Sequence, residues 1–197
     1  MLTIEQGGEL VEYARDCISC HLSCKEVEEK SFPFAKERQG VFVTLLAYPK
    51  MELRGCIGFP EPVYPLVRAV RMASVSAAVE DPRFPELSSD EFDKVAVEIS
   101  VLTVPEKIES GNGESYEDKI EIGKNGLIVR GMSRSGLLLP QVPVEWGWNK
   151  KQFLVQVCAK AGLSSDAYLS SDIELFKFQA QIFSEKSPGG DVVEKEL

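Results

Sequence analysis

The sequence is short of the residues and patterns on which several classes of protein depend. It has a single histidine, His21, which disfavours the many catalytic and zinc-binding schemes that draw on imidazole groups. No apolar run approaches the roughly 20 residues that a transmembrane helix needs. Residues 1–6 lack the basic and apolar regions of a signal peptide. We therefore expect a cytoplasmic protein that does not enter a membrane.

Basic clusters are missing as well. The net charge of the 197 residues is −9 and the isoelectric point is near 4.8. A protein that binds nucleic acid without sequence preference needs a basic surface to displace counterions from phosphates. The acidic balance therefore disfavours nucleic acid as a partner.

The five cysteines are odd in number and three are clustered, which fits poorly with a secreted disulfide framework. Cys17, Cys20, His21 and Cys24 have a spacing that also occurs in zinc and haem-attachment sites. All four fall on one predicted helix, residues 5–29, and one helix cannot readily surround a tetrahedral metal. Because they coincide with an apolar stripe, we predict a core face with free thiols and no cofactor.

Periodicity assigns most of the chain to strands and helices. Strands are predicted at residues 41–48, 51–57, 95–102, 137–140 and 173–183, and helices at 5–29, after Pro65 and after Asn149. Asn125-Gly126 suits the type I′ turn of a further hairpin, with strands at 120–122 and 127–129. These elements favour an α+β class with mixed or mostly antiparallel sheets and about three main helices.

One folded domain is expected to span residues 1–186, since no internal repeat or obvious linker divides it. The polar residues 110–118 are predicted to form a loop. The tail over 187–197 is rich in glycine and then in acidic residues, so we predict that it is disordered.

The stretch from Leu53 to Phe59 is the first candidate for a site, because it holds a cation, a thiol and two glycines. Arg54 and Cys56 are two residues apart on a predicted strand, so they should project to the same side. A nearby guanidinium favours the thiolate form of cysteine, which is the reactive form. Gly55 and Gly58 remove side chains where a ligand could approach the backbone.

Glu98 and Ser100 form a second pair, on one face of the strand over 95–102. If that face adjoins Arg54 and Cys56, Glu98 could act as a base or orient Arg54, and Ser100 could donate a hydrogen bond. The alternative is structural. Arg54 would then pair with a carboxylate such as Glu98, and Cys56 would be a small buried residue.

Three further residues are weaker candidates for ligand contacts. Arg83, in Asp81-Pro82-Arg83-Phe84, could offer a bidentate fork to an anion, or could form an ion pair where a helix ends. Gln141 and Glu145, near Trp146 and Trp148, could supply an amide and a carboxylate, or could simply cap a turn.

Several motifs occur together in a specific order. They are Leu53-Arg54-Gly55-Cys56-Ile57-Gly58, Asp81-Pro82-Arg83-Phe84, Glu98-Ile99-Ser100-Val101-Leu102, Ile122-Gly123-Lys124-Asn125-Gly126-Leu127, Leu138-Leu139-Pro140-Gln141-Val142 and Cys158-Ala159-Lys160-Ala161-Gly162-Leu163. With them, the chain resembles the AMME chromosomal region protein family (AMME-CR family) over residues 5–184. The resemblance implies a larger and a smaller subdomain with a cleft between them. It implies no particular reaction, but prokaryotic members are associated with Memo-type and radical SAM proteins, which implies a pathway with redox or metal chemistry.

Two functions are consistent with these residues. The first is an enzyme, or a subunit of one, acting on a small polar or anionic substrate near Arg54, Cys56 and Glu98. The second is a non-enzymatic binding or scaffold module for a protein partner, such as a Memo-type or radical SAM protein. The sequence does not indicate the oligomeric state.

Overall fold

The computed structural model describes residues 1–28, 30–109 and 115–195. Its helices are α1 (Ile4–Leu22), α2 (Leu66–Val79), α3 (Ser89–Phe92), α4 (Gln141–Glu145) and α5 (Lys150–Lys160). Its strands are β1 (Gly40–Ala47), β2 (Glu52–Phe59), β3 (Val95–Leu102), β4 (Glu106–Lys107), β5 (Gly126–Gly131), β6 (Arg134–Leu138), β7 (Ile173–Phe178), β8 (Ala180–Glu185) and β9 (Val192–Lys195). The predicted α+β class, with three main helices, is confirmed.

The chain divides into two compact units. The first comprises residues 1–102 and the described residues from 181 onward, and contains a five-stranded sheet in the order β2-β1-β3-β8-β9. The second comprises residues 103–180 and contains a four-stranded sheet in the order β4-β7-β5-β6. Within the described ranges, no helix has the length and apolar character needed to cross a bilayer.

The first unit is built on an apolar face of its sheet. Val41, Val43 and Leu45 of β1 are fully buried, as the alternation of a strand beside a core requires. Helix α2 packs against β1 and β2, and α1 packs against α2. At Gly55 the approach is so close that an ideal Cβ atom would lie 2.2 Å from the carbonyl oxygen of Ala77 on α2. Gly55 therefore permits contact between strand and helix backbones.

The second unit has its own core, between its sheet and α5. Asn149 caps α5 through a reciprocal bond pair with Gln152, a capping box at the start of the helix that was predicted after Asn149. Gly162 follows the helix with a φ of +70°, the conformation in which glycine commonly ends helices. Phe153 and Val157 on the inner face of α5 are fully buried.

The predicted hairpin around Asn125-Gly126 is wrong. The side chain of Asn125 accepts a hydrogen bond from the backbone N–H of Glu121 and so closes a turn before β5. The hairpin lies later in the chain and joins β5 to β6, with Met132 and Ser133 both at positive φ. The two positive φ angles therefore fall on a methionine and a serine instead of the asparagine, aspartate or glycine that usually adopts them. Of the predicted loop 110–118, residues 110–114 lie outside the described ranges.

Three predicted boundaries also change. Residues 173–183 form β7 and β8, which belong to different sheets, because the chain leaves one unit for the other near Gln179. Helix α1 ends at Leu22 instead of near residue 29. Part of the predicted disordered tail is ordered, since β9 pairs with β8 and Val192 packs against the core; residues 196–197 lie outside the described ranges.

Gly55→Ala is expected to destabilise the protein, because the new Cβ atom would meet the backbone of α2. Overpacking of this kind costs about 1–3 kcal/mol. The matched control is Gly8→Ala in α1, where nothing lies within 4 Å of an ideal Cβ atom. Because alanine is the better helix former, this variant should be more stable than the wild type by about 0.5–1 kcal/mol. Urea denaturation measures both changes, and a Gly55→Ala variant as stable as the wild type would contradict the close packing.

Candidate functional site

Three polar side chains form a row across the first sheet. The register of the middle strand β1 places Thr44 opposite Cys56 of β2 and opposite Glu98 of β3. Residues directly opposite each other on neighbouring strands share a face of the sheet. Because Gly55 and Leu45 face α2, alternation puts this row on the other face. Cys56 and Glu98, whose proximity the sequence left open, therefore lie on the same face with Thr44 between them.

Cys56 is a hydrogen-bonded thiol in this row. The hydroxyl group of Thr44 lies 3.3 Å from its sulfur and donates to it. Burial raises the pKa of the Cys56 thiol, and the neighbouring hydroxyl and Arg83 offset this only in part. The shift is opposite to the one expected for a thiolate nucleophile, so Cys56 is protonated at neutral pH.

Glu98 is paired with a residue that the sequence analysis did not select. Lys195 of β9 donates a hydrogen bond of 2.5 Å to Oε2 of Glu98. The Glu98 side chain is 13% exposed and that of Lys195 is 43% exposed. Ser100, two residues further along β3, is buried opposite Phe42 on the same face. Residues 192–195, Val-Val-Glu-Lys, do not alternate, and their two β-branched valines were the only strand signal in a segment predicted to be disordered.

Arg54 does not join the row. Leu45 pairs with Gly55 and Leu46 with Leu53, so Arg54 is the extra residue of a β-bulge, which breaks the strict alternation of the strand. Its guanidinium donates to both carboxylate oxygens of Glu91 on α3, at 2.5 and 2.9 Å. The predicted pairing of Arg54 with a carboxylate is therefore correct in kind, but the partner is Glu91 instead of Glu98.

A third contact of Arg54 ties it further to the first unit. Its Nη2 atom donates to the carbonyl oxygen of Pro85 at 3.0 Å, and the residue is only 8% exposed. The Arg54 guanidinium, a candidate for ligand contact in the sequence, is occupied by groups of the protein itself. Arg54 thus holds α3 and the Pro85 loop against β2.

Arg83 and Asp81 complete the hydrogen bonding of β2, which is an edge strand. Oδ2 of Asp81 accepts from the backbone N–H of Cys56 at 2.8 Å, and Nη2 of Arg83 donates to the Cys56 carbonyl at 3.3 Å. Arg83 also binds both oxygens of Asp81, at 2.9 and 2.7 Å. The Arg83 guanidinium, together with two backbone N–H groups, holds the pKa of Asp81 well below its usual range.

The two candidate glycines make room for protein groups. The ideal Cβ of Gly55 meets α2, and that of Gly58 would lie 2.3 Å from the carbonyl oxygen of Val41 and 2.5 Å from the ring of Phe42. Phe42 is paired with Gly58 across the strands, so its ring occupies the space that glycine leaves. The close approach that we predicted for a ligand is made by the helix and the ring.

Gln141 and Glu145 lie in the second unit, at the start and end of α4. Oε1 of Gln141 is buried without a hydrogen-bond partner among the described residues, whereas Glu145 is exposed. Next to them, the rings of Trp146 and Trp148 stack with centroids 6.0 Å apart. They line a groove of about 700 Å³, together with Leu138, Val142, Gln156, Ala159 and Lys160.

The cysteine stripe of α1 follows its prediction only in part. Cys17 is fully buried, and burial raises its pKa to about 11. Cys20 is half-buried, whereas Cys24 is exposed with a φ of +54° because the helix has already ended. All five cysteines are free. The core face therefore includes Cys17 but not Cys24.

Asp81→Asn is expected to destabilise the protein by about 2–4 kcal/mol at pH 7, because it breaks a buried, charge-assisted set of hydrogen bonds. The contribution of Asp81 is fully present above its unfolded pKa of about 4 and is lost as the pH falls toward its lower folded-state pKa. The difference between variant and wild type should therefore shrink at pH 3. Urea denaturation at pH 7 and pH 3 measures the free energy of unfolding of both proteins, with Asp93→Asn at an exposed position as a control. If the variant is destabilised equally at the two pH values, the ionised carboxylate does not have this role.

Comparison with known proteins extends over almost the whole chain. The AMMECR1 family model matches residues 11–183. The protein MJ0810 of Methanocaldococcus jannaschii is 46% identical, over 100% of this chain and 98% of that protein, and MK0488 of Methanopyrus kandleri is 52% identical, over 100% and 96%. The crystal structure of the uncharacterized protein PH0010 from Pyrococcus horikoshii has a TM-score of 0.87 and 49% identity, with 97% of each chain covered. The predicted resemblance is confirmed, and the chain belongs to the AMMECR1 family.

Proposed function

We propose that the sheet face carrying Cys56, Thr44 and Glu98 binds a small polar molecule, and that the protein is an enzyme or a subunit of one. The observation that carries the proposal is the row itself. A thiol, a hydroxyl and a carboxylate are brought together on one face by the pairing of three strands. Isolated polar groups on a half-buried face are costly unless they have partners, and a polar ligand would supply further partners.

Each group of the row has a definite chemical capacity. The carboxylate of Glu98 accepts hydrogen bonds and can take a proton from a bound group. The Cys56 thiol, protonated and bonded to Thr44, serves as a contact in place of the predicted nucleophile. Arg54 and Arg83 hold Glu91 and Asp81, so the proposal no longer depends on an arginine clamp.

A thermal-shift screen tests the proposal, with small carboxylic acids, phosphate esters and amino acids as the compounds. A true ligand at 100 times its Kd stabilises the folded protein by about 2.7 kcal/mol, which is roughly 5–10 °C in Tm. Glu98→Gln should abolish the shift, since it removes the charge and keeps the shape.

Glu174→Gln is the matched control for that screen. Glu174 is also paired with a lysine, with 2.8 Å between its Oε1 atom and Nζ of Lys107, but it lies in the second unit. A compound that stabilises the Glu98→Gln variant as much as the control binds elsewhere, and that outcome would refute the assignment of the site.

A second function, as a binding module for a protein partner, is supported by the groove at Trp146 and Trp148. Trp146 is 70% exposed, and large exposed aromatic side chains are typical anchors of protein interfaces. Lys160 lines the same groove, so it suits an apolar segment that carries a carboxylate. A Memo-type or radical SAM companion protein is the partner that the family resemblance implies.

Trp146→Ala is expected to weaken binding of the Memo-type protein of the same organism by 10-fold or more, if this second function holds. Hot-spot tryptophans typically contribute about 2 kcal/mol or more to an interface. Calorimetric titration measures the Kd. Tyr48→Ala, which removes another exposed aromatic side chain, should leave it unchanged, and equal affinities for all three proteins would rule out the groove.

A further inference from the structure

The last described strand brings a charge to the proposed site. The AMMECR1 family match ends at residue 183, whereas β9 spans Val192–Lys195. Even so, the ammonium group of Lys195 is hydrogen-bonded to Glu98, which lies at the β3 end of the row. A residue outside the matched region therefore contributes to the charge of the site.

The position of β9 is fixed by several independent contacts. Its backbone pairs with β8 from Val192 through Lys195, with Lys195 opposite Ile182. The amide of Gln181 donates to the side chain of Glu194 at 3.0 Å, and to the carbonyl oxygen of Leu2 at 3.1 Å. Backbone pairing and these side-chain hydrogen bonds fix the position of Lys195 next to Glu98.

Lys195 determines the charge balance of this face. Asp81 and Arg83, the other charged pair beside Cys56, neutralise each other through two hydrogen bonds. Without Lys195, the mostly buried carboxylate of Glu98 would leave one uncompensated negative charge. Thr44 separates Glu98 from Cys56 by two strand spacings, roughly 10 Å between Cα atoms, a distance at which a partly buried charge is incompletely screened.

We propose that Lys195 is a specificity-determining residue that makes the Cys56 site favour anionic small molecules over cationic ones. The inference rests on the proposed function, and it defines the substrate class for that site. An ammonium group has three N–H donors, and the bond to Glu98 uses one of them. Lys195 is thus able to neutralise Glu98 and to meet a carboxylate or phosphate at the same time.

The test compares two alkylating probes of nearly equal size, iodoacetate and iodoacetamide, which differ in charge. Their relative rates at Cys56 report the local potential, and peptide mass spectrometry resolves each cysteine. Cys24 is exposed on the same molecule and serves as the internal reference. At low ionic strength, Lys195→Met should lower the normalised rate ratio of iodoacetate to iodoacetamide by about 3- to 10-fold. The estimate is the Coulomb energy of the negative charge that the variant leaves unpaired on Glu98, roughly 10 Å from Cys56.

Two control variants sharpen the comparison. Lys195→Arg keeps the charge and should preserve the ratio. Lys50→Met removes one positive charge from the turn before β2, where Lys50 pairs with Glu52 at 3.7 Å, and should also leave the ratio unchanged. All variants are checked for a wild-type melting curve before labelling.

The outcomes separate the two proposals. If Lys195→Met labels at Cys56 with the wild-type ratio, the inference on Lys195 is wrong and the proposed site remains. Because the Cys56 thiol has a raised pKa, labelling is repeated up to the highest pH at which the protein stays folded. If neither probe labels Cys56 at any of these pH values while Cys24 reacts, no small molecule reaches this face, and both proposals are overturned.

Discussion

The position of β1 between β2 and β3 is the constraint on which the first unit depends. Both edges of this strand are hydrogen-bonded, to β2 and to β3, so its register is fixed from two sides. Val43 and Leu45 must face the helices to be buried, and a slip of one residue would turn them outward. Thr44, and with it Cys56 and Glu98, is consequently left on the opposite face. The polar row follows from the burial of its apolar neighbours.

The arginines of the first unit show how the fold deals with charge near this row. A buried guanidinium is tolerated only with a partner, and Arg54 has Glu91 in a bidentate pair. Asp81 is even less exposed than Arg54 and has Arg83. These cations stabilise the loop and short helix that cover the edge strand. The pair of Glu98 and Lys195 differs, because it lies on the sheet face beside the thiol.

Much of the fold could be predicted because strands beside a core alternate. Residues 95–102 form β3 with the predicted bounds, and β1 differs from its prediction by one residue at each end. The capping box of α5 was also readable, since it needs only two residues at a fixed spacing. The split of 173–183 was not readable, because alternation continues almost unchanged from β7 into β8 and does not reveal which sheet a strand joins.

The candidate site was predictable only in its outline. Alternation placed Glu98 and Ser100 on one face, and the motif at Cys56 identified a second strand of the same sheet. The bulge at Arg54 arises where Gly55 packs against the backbone of α2, a tertiary contact without a local signal. Lys195 was missed because composition describes a segment in isolation, whereas β9 gains its order from pairing with β8.

The five thiols differ in burial, and therefore in how easily a dissolved oxidant can reach them. Cys24 is exposed, Cys20 and Cys56 are partly shielded, and Cys17 and Cys158 are enclosed. Oxidation of cysteine follows exposure and thiolate character, so sulfenic acid forms first at Cys24. The end of α1 is therefore the place where such an oxidant is expected to act first, ahead of the Cys56 thiol.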